Sequence, residues 1–129
     1  MADEEERFEE RERFELSEAS LAALKKELRA IHEDSYGTSV DSITVHLLED
    51  VVIVFLDGLH LQRSEEFMID RGGADAVLNV RTAFQSAIEP TFKAAVERII
   101  GRKVVSFAST MKLDPPYSVE IFRLQPEKP

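Results

Sequence analysis

Arg63, Glu65 and Arg81 are the side chains whose types best fit a binding site in this chain. Two guanidinium groups flanking the connection over residues 57–73 could hold the oxygens of a small anion, with Glu65 beside them. Other reactive residue types occur without the spacing that chemistry needs. His32, His46 and His60 share no H-x-x-H or H-E-x-x-H pattern, and each falls in a different predicted element, which argues against a metal site. The acidic pairs Glu49-Asp50 and Glu65-Glu66 are adjacent in sequence, and neighbouring carboxylates rarely converge on one bond. Gly72-Gly73 lacks the spacing and downstream lysine of a phosphate loop, and no Ser, His and Asp set carries a nucleophile signature. The absence of cysteine excludes disulfides, zinc–thiolate sites and thiol catalysis. The expectation is therefore a non-enzymatic protein with no cofactor.

The elements that must position these residues can be read from periodicity. Leu21, Leu24, Leu28 and Ile31 form one apolar stripe at helical spacing, with Ser17 as a candidate N-cap and Gly37 as a left-handed stop. Strand-like runs follow at Ser42–Leu48 and Val51–Leu56, joined by a tight turn at Glu49-Asp50. In the connection, Ser64–Ile69 reads as a short helix capped by Ser64, with Phe67 and Met68 tucked beneath it. A second long helix is expected from about Asp75 to Ile100, its buried side traced by Val77, Val80, Phe84, Ile88, Ala95 and Ile99 and interrupted by Pro90. Arg98, Arg102 and Lys103 suit the negative end of that helix. Two further strands, Val104–Met111 and Ser118–Leu124, close the chain around a turn at Asp114–Tyr117.

Helix, strand and strand thus occur twice. Aligning Gly37 with Gly101 sets Val40 over Val104 and Ile43 over Phe107. A repeated unit of this kind predicts an α+β fold, αββαββ, with a four-stranded, mostly antiparallel sheet and two long helices on one face. The run Val51–Leu56 is apolar on both faces, yet a helix layer covers only one. The other face is expected to meet a second copy of the chain, with His46, Leu48, Val52, Val54 and Leu56 at the interface of a homodimer.

Charge is unevenly distributed. Nine acids stand against three arginines in residues 1–18, a net −6 of the chain's −9. Residues 1–16 read as an acidic arm, disordered or frayed; residues 17–125 read as a single domain and 126–129 as a short polar tail. Such a tail repels phosphate backbones, so nucleic acid is not an expected partner. The start lacks the basic and apolar regions of a signal peptide, and the longest apolar run has six residues against the roughly 20 that span a bilayer. A cytoplasmic protein without membrane insertion is expected.

Val80-Arg81-Thr82-Ala83-Phe84, Ala95-Val96-Glu97, Gly101 to Phe107 and Val119-Glu120-Ile121-Phe122-Arg123-Leu124 resemble the MpsC-like family of small bacterial domains, over about Leu21 to Glu127. The resemblance implies an accessory module, linked to membrane ion or bicarbonate transport through a membrane-protein partner. It supplies no catalytic residues. Two loops depart from the family pattern: Tyr36-Gly37-Thr38-Ser39 replaces a Gly-Arg-Gly-Pro turn, and Leu61-Gln62-Arg63-Ser64-Glu65 replaces a Leu-Thr-Pro-x-Glu segment. The alternative reading from the residues themselves is a small-anion sensor built on Arg63, Glu65 and Arg81.

Overall fold

The structure, a computed structural model, describes residues 4–127, with side chains from residue 18 onward. The elements are α1 (Glu4–Tyr36), β1 (Val40–Leu48), β2 (Val51–Leu59), α2 (Arg63–Asp70), α3 (Ala74–Ile100), β3 (Val104–Leu113) and β4 (Pro116–Leu124). The four strands form one antiparallel sheet in the order β1-β2-β4-β3. This is the αββ repeat realised: the second strands of the two halves meet in the middle, and the first strands take the edges. Both long helices lie on one face.

Local chemistry sets the boundaries. Gly37 and Gly101 adopt left-handed φ angles of 71° and 78°, and each returns its N–H to a carbonyl of the preceding helix, Glu33 and Glu97 respectively. Glycine takes this conformation without the steric cost that a Cβ brings. Arg102 then clasps the first hairpin turn, donating to Asp50 and to the carbonyls of Glu49 and Gln125. Arg98 pairs with Glu27 and so ties α3 to α1. These contacts give both arginines roles beyond the helix dipole.

Several boundaries differ from expectation. From Glu4 onward the acidic arm is helical and continuous with α1, so Ser17 lies inside the helix and not at its start; residues 1–3 and 128–129 fall outside the described part. Strand β2 runs through Asp57-Gly58 to Leu59. The short helix begins at Arg63 with Gln62 as its cap, and the N–H of Gln62 donates to Oε1 of Glu65 at 2.8 Å. Phe67 and Met68 are exposed, not tucked under, because α2 packs on α3 and not on the sheet. Val80 and Phe84 are exposed too, because they face a groove beside α2 and not the sheet.

The core lies between the helices and the sheet. Leu24 and Leu28 of α1 and Phe92, Ala95 and Val96 of α3 meet Ile43, Val52, Val54, Leu56, Phe122 and Leu124. Register decides which face of β2 goes inward: Val45 pairs with Val54 and Leu47 with Val52, so the even-numbered residues face the helices. Val52, Val54 and Leu56 are 0%, 0% and 1% exposed, so these three expected interface residues belong to the core. The outward face of β2 is Val51, Ile53 and Phe55, flanked by His46 and Leu48 of β1, which do lie on the open side. Truncating Phe92→Ala should cost about 3–5 kcal/mol in urea unfolding. Gly101→Ala, whose added Cβ meets open space but whose φ is left-handed, should cost only about 1 kcal/mol.

Candidate functional site

Beneath the helices, on the half of the sheet formed by β3 and β4, the core turns polar. Glu120 is 2% exposed and lies on the helix-facing side of β4, directly opposite Val54. Its Oε1 accepts a 3.2 Å hydrogen bond from Nε2 of Gln85 on α3; its Oε2 has no partner. Tyr36, at the end of α1, donates its hydroxyl to Oε1 of Gln85 at 2.9 Å. His32, one helical turn earlier, is 3% exposed and stacks on Tyr36 with ring centroids 4.6 Å apart; its Nε2 is also unpartnered.

These groups line a cavity of about 160 Å³, together with Leu59, Phe107, Met111 and the hydroxyl residues Ser109 and Ser118. Its exposed lining comes from Thr82 and Ser86 of α3 and Ser109 and Thr110 of β3, so the mouth opens between that helix and the edge strand. On the opposite side of Tyr36 and Arg81 a second, more apolar groove of about 290 Å³ runs between α2 and α3, lined by Met68, Val77, Val80 and Phe84.

Comparison of the two repeats shows that the fold does not require this polarity. The alignment of Gly37 with Gly101 sets Val45 over Ser109, and their cross-strand partners are Val54 and Glu120. In the same way the pair Leu47–Val52 corresponds to Met111–Ser118, and His32 on α1 corresponds to Val96 on α3. The first hairpin fills this layer with valine and leucine, whereas the second places serines and a carboxylate there. An apolar solution exists within the same molecule, and burying an ionisable group without full hydrogen bonding is unfavourable.

Burial shifts both titratable groups toward neutrality. Glu120 is raised to about 7 by desolvation, opposed by the Gln85 hydrogen bond. His32 is lowered to about 4 by desolvation, with the Arg81 and Arg29 charges acting in the same direction. Tyr36 is pushed up to about 12, chiefly by burial.

Of the three residues expected to bind an anion, two meet each other. Arg81, 5% exposed, donates Nε to Oε2 of Glu65 at 2.7 Å and Nη2 to Oε1 at 2.8 Å, and its guanidinium lies 4.7 Å from the Tyr36 ring centroid. The side-chain hydrogen bond from Arg81 is the main reason the Glu65 carboxyl is held below its usual range. Arg63 is exposed and lines neither cavity. The geometry joins Arg81 and Glu65 as a part-buried ion pair between α2 and α3, with Arg81 also lining the polar cavity and Arg63 standing apart. Glu120, Gln85 and His32 are what sequence reasoning missed as a site. A signal was present: Glu120 interrupts the apolar alternation of β4 on the inward side.

Ser39, His60 and Asp41 form an exposed hydrogen-bonded set, with Oγ to Nδ1 at 2.8 Å and Nε2 to Oδ1 at 2.6 Å. They lie outside both cavities and brace the start of β1 against the end of β2. His46 stands edge-on to Phe55 on the open face. The three histidines are thus dispersed, and among the described residues no three His, Asp or Glu side chains gather as a metal site.

In this α+β domain no helix among the described residues is long and apolar enough to cross a membrane. Residues 18–126 match the family described as "Na+-translocating membrane potential-generating system (MpsC)", and the chain belongs to that family. No curated protein and no solved structure matches the chain.

The two buried groups oppose each other in pH dependence. Between about pH 4.5 and 7 the unfolded chain has lost the Glu120 proton while the folded chain keeps it, so this group's contribution to stability falls as pH rises. Between about 6.5 and 4 the unfolded chain protonates His32 while the folded chain does not, so its contribution falls as pH drops. In urea unfolding, Glu120→Gln should gain on wild type as pH rises, by about 3 kcal/mol at pH 8, and should match it near pH 4. His32→Val should gain by a similar amount near pH 4 and lose that advantage above pH 6.5. Arg81→Ala, which strands the Glu65 carboxylate, should cost about 3 kcal/mol at neutral pH, and Arg81→Ala combined with Glu65→Ala should cost less than the two single losses added.

Proposed function

We propose that this protein is a non-enzymatic, cytoplasmic accessory module of a membrane ion-translocating system, and that it works as a homodimer joined through the open face of its sheet. The observation that carries this reading is the composition of that face. Two central rows, Thr44–Phe55–Val119–Thr110 and His46–Ile53–Ile121–Ala108, cross all four strands without an acid, lysine or arginine. Leu48 and Val51 extend the apolar surface, and Leu48 is 60% exposed. Charges stand only in the flanking rows, where Asp57, Lys112 and Arg123 sit.

A second copy suits this surface. Four strands of about nine residues give a face of roughly 19 Å by 30 Å. Packing it on its equal would cover on the order of 600 Å² per chain, about 1,200 Å² in total, the lower end of specific interfaces. A two-fold axis along the strands lays β1–β2 of one copy over β3–β4 of the other, which brings Asp57 toward the side that carries Lys112. Membership of the family supports the link to ion translocation. Bicarbonate transport is a narrower version of the same proposal.

Sedimentation velocity of the full chain from about 1 to 100 µM should show a dimer. Ile53→Asp and Ile121→Asp, each placing a charge at the centre of the face, should yield folded monomers with unchanged circular dichroism. A wild-type chain that stays monomeric at 100 µM, or dimers that survive both substitutions, would overturn the sheet-face interface. Stable capture of a different protein by the wild-type monomer would assign the face to a heterologous partner.

A further inference from the structure

We infer that the cavity over Glu120 is a binding site for a small primary ammonium cation. This inference is independent of the dimer, since the cavity and the open face lie on opposite sides of the sheet. Three observations converge on it.

Unfilled acceptors define what the ligand must offer. Glu120 is almost wholly buried, and its Oε2 has no partner although it lines a cavity. His32 Nε2 lines the same space, also unpartnered, on a ring that stays neutral at physiological pH; in the tautomer protonated at Nδ1 it is an acceptor. A carboxylate oxygen and an imidazole nitrogen together call for N–H donors. Nitrogen is a poor ligand for alkali-metal ions, which prefer oxygen, so the pair discriminates between an ammonium and an alkali-metal cation.

The balance of charge selects a cation. The groups facing the site are His32 and Tyr36 from α1, Arg81 and Glu89 from α3, Glu65 of α2 behind Arg81, and Glu120 of β4; the Arg29 charge also reaches His32 and is paired with Glu33. Arg81 is committed to Glu65, and Glu89 is 3.2 Å from Lys93. Ionised Glu120 is the one lining charge left without a partner of opposite sign. Electrostatics therefore favours a single positive charge and opposes an anion.

The walls set the size and shape. About 160 Å³ is the size of a cavity that takes a molecule of about six heavy atoms. Ser109 and Ser118 add hydroxyl acceptors near the carboxylate, while Leu59, Phe107 and Met111 offer apolar surface to a short alkyl group. These polar positions are occupied by valines in the first repeat, so the site belongs to one half of the sheet only.

Proton and ammonium compete for the same oxygen. Binding is consequently stronger at pH 8.5 than at pH 6, where the carboxyl carries its proton. The test uses the full chain in methylammonium chloride against choline chloride at equal ionic strength. The melting temperature at pH 8.5 should rise only in methylammonium, the rise should shrink at pH 6, and it should vanish in Glu120→Gln, a neutral isostere. Independently of any variant, the carboxyl ¹³C titration of Glu120 in the wild-type chain should move down by about one pH unit at a methylammonium concentration ten times its Kd. Equal melting temperatures in the two salts at pH 8.5, an unmoved Glu120 titration, or a rise that persists in Glu120→Gln would overturn the proposal. Sodium or potassium chloride acting as strongly as methylammonium would do the same.

Discussion

The antiparallel pairing of β2 with β4 is the contact on which the rest of this molecule depends. It joins two αββ halves that could each bury only one side of a two-stranded ribbon, and an isolated hairpin is marginal in water. Once joined, the central strands present one continuous inward row, and α1 and α3 can cover it together. The same pairing fixes which residues lie inward. Val54 and Glu120 stand opposite each other at the junction, one apolar and one a carboxylate. Because the junction lies beneath both helices, Glu120 is only 2% exposed, and its protein hydrogen bond comes from α3. Gln85 provides it and is itself held by Tyr36. The ends of α1 and the middle of α3 are thus linked to the sheet by a polar chain as well as by packing.

The asymmetry between the halves is where the protein departs from a purely structural repeat. A chain that needed only stability could carry the first hairpin's valines in both places. Here the second hairpin carries Ser109, Ser118 and Glu120, and α1 contributes His32. Helix α2, present in one half only, closes the neighbouring groove by holding Arg81 through Glu65. The Arg81–Glu65 pair neutralises both charges beside the cavity. That pairing leaves the carboxylate at the junction as the electrostatic feature of the site. The position of Glu65 also serves α2 itself, since the same carboxylate accepts from the N–H of Gln62. One carboxylate therefore fixes both the start of a short helix and the direction of a buried guanidinium.

The two proposed binding surfaces share a strand. Along β4, Ser118, Glu120 and Phe122 face the helices, while Val119 and Ile121 face outward. Strand geometry makes this unavoidable, because successive side chains point to opposite sides. A molecule in the cavity and a partner on the open face would be separated only by the backbone of the sheet. The cavity mouth lies between α3 and the edge strand β3, where Thr110 belongs both to the mouth and to the open face.

The sequence by itself determined the architecture, because the information for it is local and periodic. The helical stripe Leu24, Leu28 and Ile31, the stops at Gly37 and Gly101, and four short runs of strand-forming residues sufficed for αββαββ. It also revealed that Val51–Leu56 is apolar on both sides. Which side goes inward was not legible there, since a run without alternation carries no phase; the turn at residues 49–50 and the pairing with β4 fixed it and sent Val52, Val54 and Leu56 to the core. Arg81 and Glu65 were legible as charged residues of one neighbourhood, but their mutual neutralisation required α2 and α3 to pack. The site around Glu120 was decided by tertiary structure alone. Its members come from α1, α3, β3 and β4, up to 88 positions apart from His32 to Glu120. Only the closure of the helices over the sheet gathers them around one cavity.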